Sequence, residues 1–157
     1  MEELIKKLQT EIAALEHEFR TELPKEILRA RELGDLSENA EYHAAKERQG
    51  LVNARLGQLR KRLQEISMID LTKVPRDRVG FGSTVIVFDM IKEEEMTYRL
   101  VASEESDVKN GLISTSSPIG KGLLNKQAGD EVKIVVPGGT LQFEVVRLTT
   151  IHGEVLE

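Results

Sequence analysis

The chain has 157 residues, enough for one domain or two small ones, and its residues are 39% hydrophobic but only 4% aromatic, with no tryptophan. Charged residues make up 31% and the net charge is −5, so bulk attraction to nucleic acid is excluded and any such contact needs a local basic patch. The absence of cysteine excludes disulfides and thiolate metal sites. No apolar run approaches the ~20 residues of a membrane span, and Met1-Glu2-Glu3-Leu4 does not read as a signal peptide, so a cytoplasmic protein without a membrane partner is expected.

From the start, apolar residues fall at Leu4, Leu8, Ile12, Leu15, Phe19, Leu23 and Ile27. Steps of four and three mark one stripe of a helix whose other face is filled by Lys and Glu. Pro24 interrupts this stripe and predicts a kink or short break, because proline removes one backbone hydrogen bond. The helical signal resumes through Ile27 to Arg31 and ends at Gly34, a suitable C-cap.

A second stripe runs through Ala45, Gln49, Val52, Leu56, Leu59, Leu63 and Ile66, again in steps of four and three. Gly50 and Gly57 weaken this helix by ~1 kcal/mol each relative to alanine. Two helices of about 30 residues, joined by a short reversal, predict an antiparallel coiled-coil hairpin roughly 45 Å long. The helical period stops near Val74-Pro75, which sets expected domains at 1–74 and 75–157.

The second domain has the texture of short strands separated by turns. Strands are expected at 84–89, 96–101, 111–115, 131–136 and 140–150, with Pro137-Gly138-Gly139 as the hairpin turn between the last two. Ser117-Pro118 predicts an N-cap and first-turn proline of a short helix reaching about Asn125. The fold class is therefore α+β in two domains: a helical hairpin, then a small antiparallel sheet domain with one short helix.

Chemistry concentrates in Gly34-Asp35-Leu36-Ser37-Glu38-Asn39-Ala40-Glu41-Tyr42, the reversal of the hairpin. Asp35 and Glu38 have the spacing of a capping box, with Asp at the N-cap and Glu at N3 of the second helix. The same two carboxylates could also reach one hard cation such as Mg²⁺, which takes one or two carboxylates and completes its shell with water and phosphate oxygens. The two roles are compatible, and a metal held by so few ligands needs a second protein. Arg29, Arg31, Lys46 and Arg48 flank the acids and read by composition as a solvated helix face; if the acids meet a metal at a phosphodiester, these are the residues that would touch RNA phosphates. His17, His43 and His152 are scattered, and Ser114, Ser116 and Ser117 have no His or Lys partner at a recognisable spacing. No self-contained catalytic centre is legible in the chain.

Residues 34–47, from Gly34-Asp35-Leu36-Ser37-Glu38 to Ala45-Lys46-Glu47, closely resemble the tip motif of the GreA/GreB family of bacterial transcript cleavage factors. A second stretch, Ile113-Ser114-Thr115-Ser116-Ser117-Pro118-Ile119-Gly120-Lys121-Gly122-Leu123-Leu124, followed by Gly129-Asp130 and Pro137-Gly138-Gly139, is similar to the family's other signature. The small basic patch near the tip is nearer the GreA branch than the GreB branch. The resemblance implies a non-enzymatic elongation factor whose C-terminal domain is FKBP-like and binds RNA polymerase at the rim of its secondary channel; a monomer is expected. It implies that the hairpin passes down that channel and that Asp35 and Glu38 help hold the polymerase's second catalytic Mg²⁺, no cofactor being bound by the factor alone. Backtracked RNA is then cleaved near its 3′ end by the polymerase itself. Arg29, Arg31, Lys46 and Arg48 would touch the nascent RNA, and Ser116, Ser117 and Pro118 would meet the coiled coil of the largest polymerase subunit. Three alternatives stand beside this: a channel-binding inhibitor on the same scaffold, a prolyl isomerase, and a plain coiled-coil adaptor. Retention of both acids argues against the first. The few aromatics of the second domain (Phe81, Phe88, Tyr98, Phe143) argue against the second, and the third leaves the acids no purpose beyond capping.

Overall fold

The computed structural model describes residues 2–35 and 38–157, and the chain divides into two compact units, Met1–Ile69 and Asp70–Glu157.

The first unit is the helical hairpin. Helix α1 (Glu2–His17) passes through a π-helical turn at Glu18–Glu22 into α2 (Leu23–Glu32), and α3 (Ala40–Ser67) returns along both. The expected break at Pro24 is thus a widening of the helix before the proline. Pro24 stands in the first turn of α2, and the amide of Leu23 reaches back five residues to the Glu18 carbonyl. One wide turn absorbs the donor that proline lacks, and the helix goes on.

The two apolar stripes meet as their spacing predicts. Leu4, Leu8, Leu23 and Ala30 are buried from one side, and Ala45, Val52, Leu56, Leu59 and Ile66 from the other. Leu23, Val52 and Leu56 form a cluster against which Ile12, Leu15 and Phe19 pack, and each fully buried aliphatic side chain contributes ~1.5–3 kcal/mol. Gly50 and Gly57 do not interrupt α3, and beyond the helix's own backbone nothing lies within 4 Å of where their Cβ would stand. Near the tip the seam narrows to Ala30 and Ala45, both alanines and both buried.

The flanks of the seam carry ion pairs between helices: Arg48 with Glu18, Arg55 with Glu11 and Arg60 with Glu16. The Arg48 guanidinium grips Glu18 with two bonds, Nε to Oε1 at 2.7 Å and a terminal nitrogen to Oε2 at 2.9 Å. That side-chain hydrogen bond holds the Glu18 carboxyl below its ordinary value of 4.5, and Arg60 lowers Glu16 in the same way. Depressed folded-state values mean that these pairs stabilise the hairpin fully above the ordinary carboxylate range, and that the stabilisation is lost as pH falls through the depressed values. Thermal unfolding between pH 7 and pH 3 will show Glu18→Gln losing less stability on acidification than the parent chain. An identical pH response in the two would remove Glu18 from the account.

In the second unit, β1 (Thr84–Asp89), β2 (Glu94–Val101), β3 (Leu112–Ser114), β4 (Glu131–Val136), β5 (Gly139–Thr149) and β6 (Val155–Leu156) form one sheet among the described residues. The order is β3-β2-β1-β5-β4, with β6 also on β5. All five expected strands form and β6 is additional. The sheet is mixed, because β2 and β3 run parallel while the other pairs are antiparallel. A parallel pair needs a crossover. Here two 3₁₀ turns, Ser103–Glu105 and Val108–Asn110, carry the chain back before Gly111 turns it at φ 74°.

Alternate residues of β1 point inward, and Val85, Val87, Leu100, Ile113, Val132, Ile134, Phe143, Val145 and Leu148 make the core. Helix α4 (Pro118–Leu123) closes this core with Leu123. Residues 70–74 fall in this unit. Asp70 caps the turn Leu71–Lys73 through a 2.9 Å bond from the Thr72 amide, and His152 Nε2 meets the Val74 carbonyl at 3.0 Å.

Candidate functional site: the hairpin tip and the serine turn

At the tip, α2 ends with the Leu33 amide donating to the Ala30 carbonyl at 3.1 Å, and Gly34 follows at φ +122°. Nothing lies within 4 Å of a Cβ placed there, so backbone conformation alone asks for glycine. Of the motif, Leu36 and Ser37 lie outside the described residues.

The capping box expected at Asp35 and Glu38 is not what starts α3. The N-cap is Asn39, whose Oδ1 accepts from the Tyr42 amide at 3.0 Å. Asn39 also donates through Nδ2 to the Ala30 carbonyl at the end of α2. A carboxylate only accepts, so Asp could cap the helix but could not make the second bond. Asparagine ranks with aspartate as a cap and stands directly before the helix, which was the available sequence signal.

Asp35 and Glu38 are exposed and line a shallow depression of about 410 Å³ together with Leu33, Asn39, Ala40 and Glu41. Glu41, which the spacing argument passed over, lines the same depression. Carboxylate oxygens suit a hard cation, and an open surface site leaves most of its shell to others. Among the described residues no three His, Asp or Glu side chains stand grouped as a metal-holding set.

The basic residues divide. Arg29 and Arg48, on facing helices, line one depression of about 390 Å³ with Glu26, Glu41, Ala44 and Ala45. Lys46 donates to Gln49 Oε1 at 2.9 Å, and Arg31 is exposed in the last turn of α2. Arg48 is also the residue that grips Glu18.

In the second unit the Ser117 hydroxyl caps α4. It accepts from the Gly120 amide at 3.1 Å and donates to the Ser114 carbonyl at 2.6 Å, with Pro118 opening the helix as expected. Ser116 belongs to a triangle of hydroxyls, 2.7 Å from Ser114 and 3.2 Å from Ser103, while Ser103 and Ser114 are 3.2 Å apart. Ser103 was not legible as part of this turn, since only the crossover between β2 and β3 brings it there. Beside the turn, Val108, Ile113, Ile119, Val136 and Pro137 line a depression of about 210 Å³ with Ser114, Ser117 and Pro118.

Comparison with known proteins joins the two units to one family. Residues 2–67 match the family described as "Transcription elongation factor, N-terminal", and residues 74–150 match "Transcription elongation factor, GreA/GreB, C-term". The chain belongs to the GreA/GreB family of transcription elongation factors. Among GreA/GreB relatives, the transcription elongation factor GreA of Desulfotalea psychrophila is 50% identical over 145 residues, covering 92% of this chain and 90% of the relative. GreA of Haemophilus influenzae is 43% identical over 145 residues, covering 92% of each. Among solved structures, GreA factor homolog 1 of Thermus thermophilus matches with 24% identity and a TM-score of 0.43, over 93% of this chain and 94% of that one. No described helix of this GreA/GreB chain is long and apolar enough to cross a membrane.

Proposed function

We propose that this elongation factor binds RNA polymerase and presents its hairpin tip to the polymerase active site, through the secondary channel, to stimulate cleavage of backtracked RNA. The observation that carries this reading is the gathering of Asp35 and Glu38 around one open depression at the reversal of the hairpin. Two exposed carboxylates are hard donors that fit Mg²⁺ but are too few to hold it, so the site is completed by the polymerase. Asp35 and Glu38 are the residues that would hold Mg²⁺ as oxygen ligands and orient a water beside it, and the ion would supply activation of that water and charge stabilisation at the phosphodiester. Arg29 and Arg48 supply positive charge for the RNA 3′ segment, with Arg31 and Lys46 as the further phosphate contacts. Ser116, Ser117 and Pro118 form the docking turn for the polymerase subunit at the channel rim. The factor is not itself a nuclease, and a monomer acting in the cytoplasm suffices.

The test adds the purified chain to a halted, backtracked polymerase complex carrying 3′-labelled RNA. Release of short 3′ fragments well above the rate of polymerase alone is the expected result; an unchanged rate sinks the reading. In the same assay the double variant Lys46→Ala, Arg48→Ala should stimulate less and with a shallower salt dependence than the parent chain, the gap being widest at low salt where the missing attraction is least screened. Unchanged stimulation at every salt concentration would remove both from the RNA contacts.

A further inference from the structure

We propose that Asn39 is the positioning residue of the tip, a two-way amide clamp that fixes the stems from which Asp35 and Glu38 project. The inference rests on the reading of these acids as metal ligands, and concerns how one chain holds them ready. The Asn39 side chain accepts from the Tyr42 amide in the first turn of α3 and donates to the Ala30 carbonyl in the last turns of α2, across nine positions of sequence. The Asn39 main-chain carbonyl also accepts the first amide bond of the helix, from His43 at 3.1 Å. Ala30 is only 2% exposed, and its carbonyl already takes the Leu33 amide. Its second lone pair therefore faces the side chain and not open water. Asp35 and Glu38 lie between the two clamped points, so a fixed separation of the stems limits where their carboxylates can go.

Only an amide of this length satisfies both bonds. Aspartate keeps the cap, loses the donor and sets a carboxylate against a carbonyl. Serine keeps the cap and stays neutral, but is too short to reach across. Asn39→Asp and Asn39→Ser therefore separate capping from clamping, and because both retain the cap, α3 should form in each.

The experiment uses the full chain with RNA polymerase and a backtracked complex, beside Asp35→Asn as the control for the underlying reading. Both Asn39 variants should keep wild-type affinity for polymerase and lose roughly 10–100-fold in maximal stimulated cleavage, the scale expected when a reacting group is misplaced by about 1 Å. The Mg²⁺ concentration giving half-maximal cleavage should rise in both. In the free variants, NMR order parameters of the Asp35 and Glu38 amides should fall while helicity is kept, and in the parent chain the Asn39 side-chain amide should show slowed exchange.

Wild-type cleavage and Mg²⁺ dependence in Asn39→Ser, with Asp35→Asn inactive, would overturn the clamp and leave the role of the acids standing. Loss in Asn39→Asp alone would overturn it too, since the added charge would then be the cause. Loss of polymerase binding in both would assign Asn39 to the stability of the hairpin instead. A fully active Asp35→Asn would remove the acids and, with them, the clamp's purpose.

Discussion

Asp35→Asn is expected to bind RNA polymerase as the parent chain does and to lose stimulated cleavage by on the order of 100-fold or more, the scale seen when groups holding a catalytic metal are altered. The substitution keeps shape and hydrogen-bonding reach while removing the charge and the second acceptor oxygen. The structure makes this experiment cleaner than the sequence alone allowed. Since Asn39, not Asp35, is the N-cap of α3, a loss of cleavage cannot be put down to an uncapped helix. Glu38→Gln follows the same logic, because Glu38 lies ahead of the helix on the same depression. The measurement is RNA shortening in a halted complex at saturating factor, with binding measured separately. Full cleavage with either variant would strike that residue from the metal site.

Gly120→Ala should destabilise the second unit by about 1–3 kcal/mol or more and weaken polymerase binding while leaving the hairpin folded. A Cβ at Gly120 would stand 2.0 Å from the Ser114 carbonyl oxygen and 3.0 Å from the Thr115 Cα. Both are backbone atoms, so no side-chain rotation relieves the clash. The same carbonyl accepts from the Ser117 hydroxyl, and the Gly120 amide donates to that hydroxyl. Pushing the two segments apart breaks the cap of α4 and moves Ser116, Ser117 and Pro118 together. Thermal unfolding of the full chain gives the stability change, and polymerase affinity gives the functional one. Gly138→Ala, with nothing within 4 Å of its Cβ position, is the control and should stay within about 0.5 kcal/mol of the parent. Equal stability of Gly120→Ala and the parent would show that α4 can shift freely, and would end the argument that this turn is rigidly built.

Much of this protein is determined locally. The stripes Leu4 to Ile27 and Ala45 to Ile66 give the hairpin and its seam, because a 3.6-residue period leaves only one face to bury. Alternation gives the strands, and in β1 and β4 the expected bounds are the observed ones. Ser117-Pro118 gives the start of α4, since cap and first-turn proline act within a few residues of each other. The tip motif gives the acids by residue type and position, and with them the resemblance from which their role is proposed.

What tertiary structure decided lies where one residue answers to two distant partners. Asp35 and Asn39 are both good caps, and the choice between them depended on the Ala30 carbonyl, which only the closed hairpin brings within reach of an amide donor. Arg48 reads as a tip-flanking cation, yet the antiparallel register sets it on Glu18, thirty residues away. The parallel pairing of β2 with β3, and the meeting of Ser103 with Ser114 and Ser116, follow from a crossover whose turns have no hydrophobic period to announce them. Local pattern sets which face of each element is buried; the bonds between elements form only after packing has fixed their separation, and no period in the sequence encodes that distance.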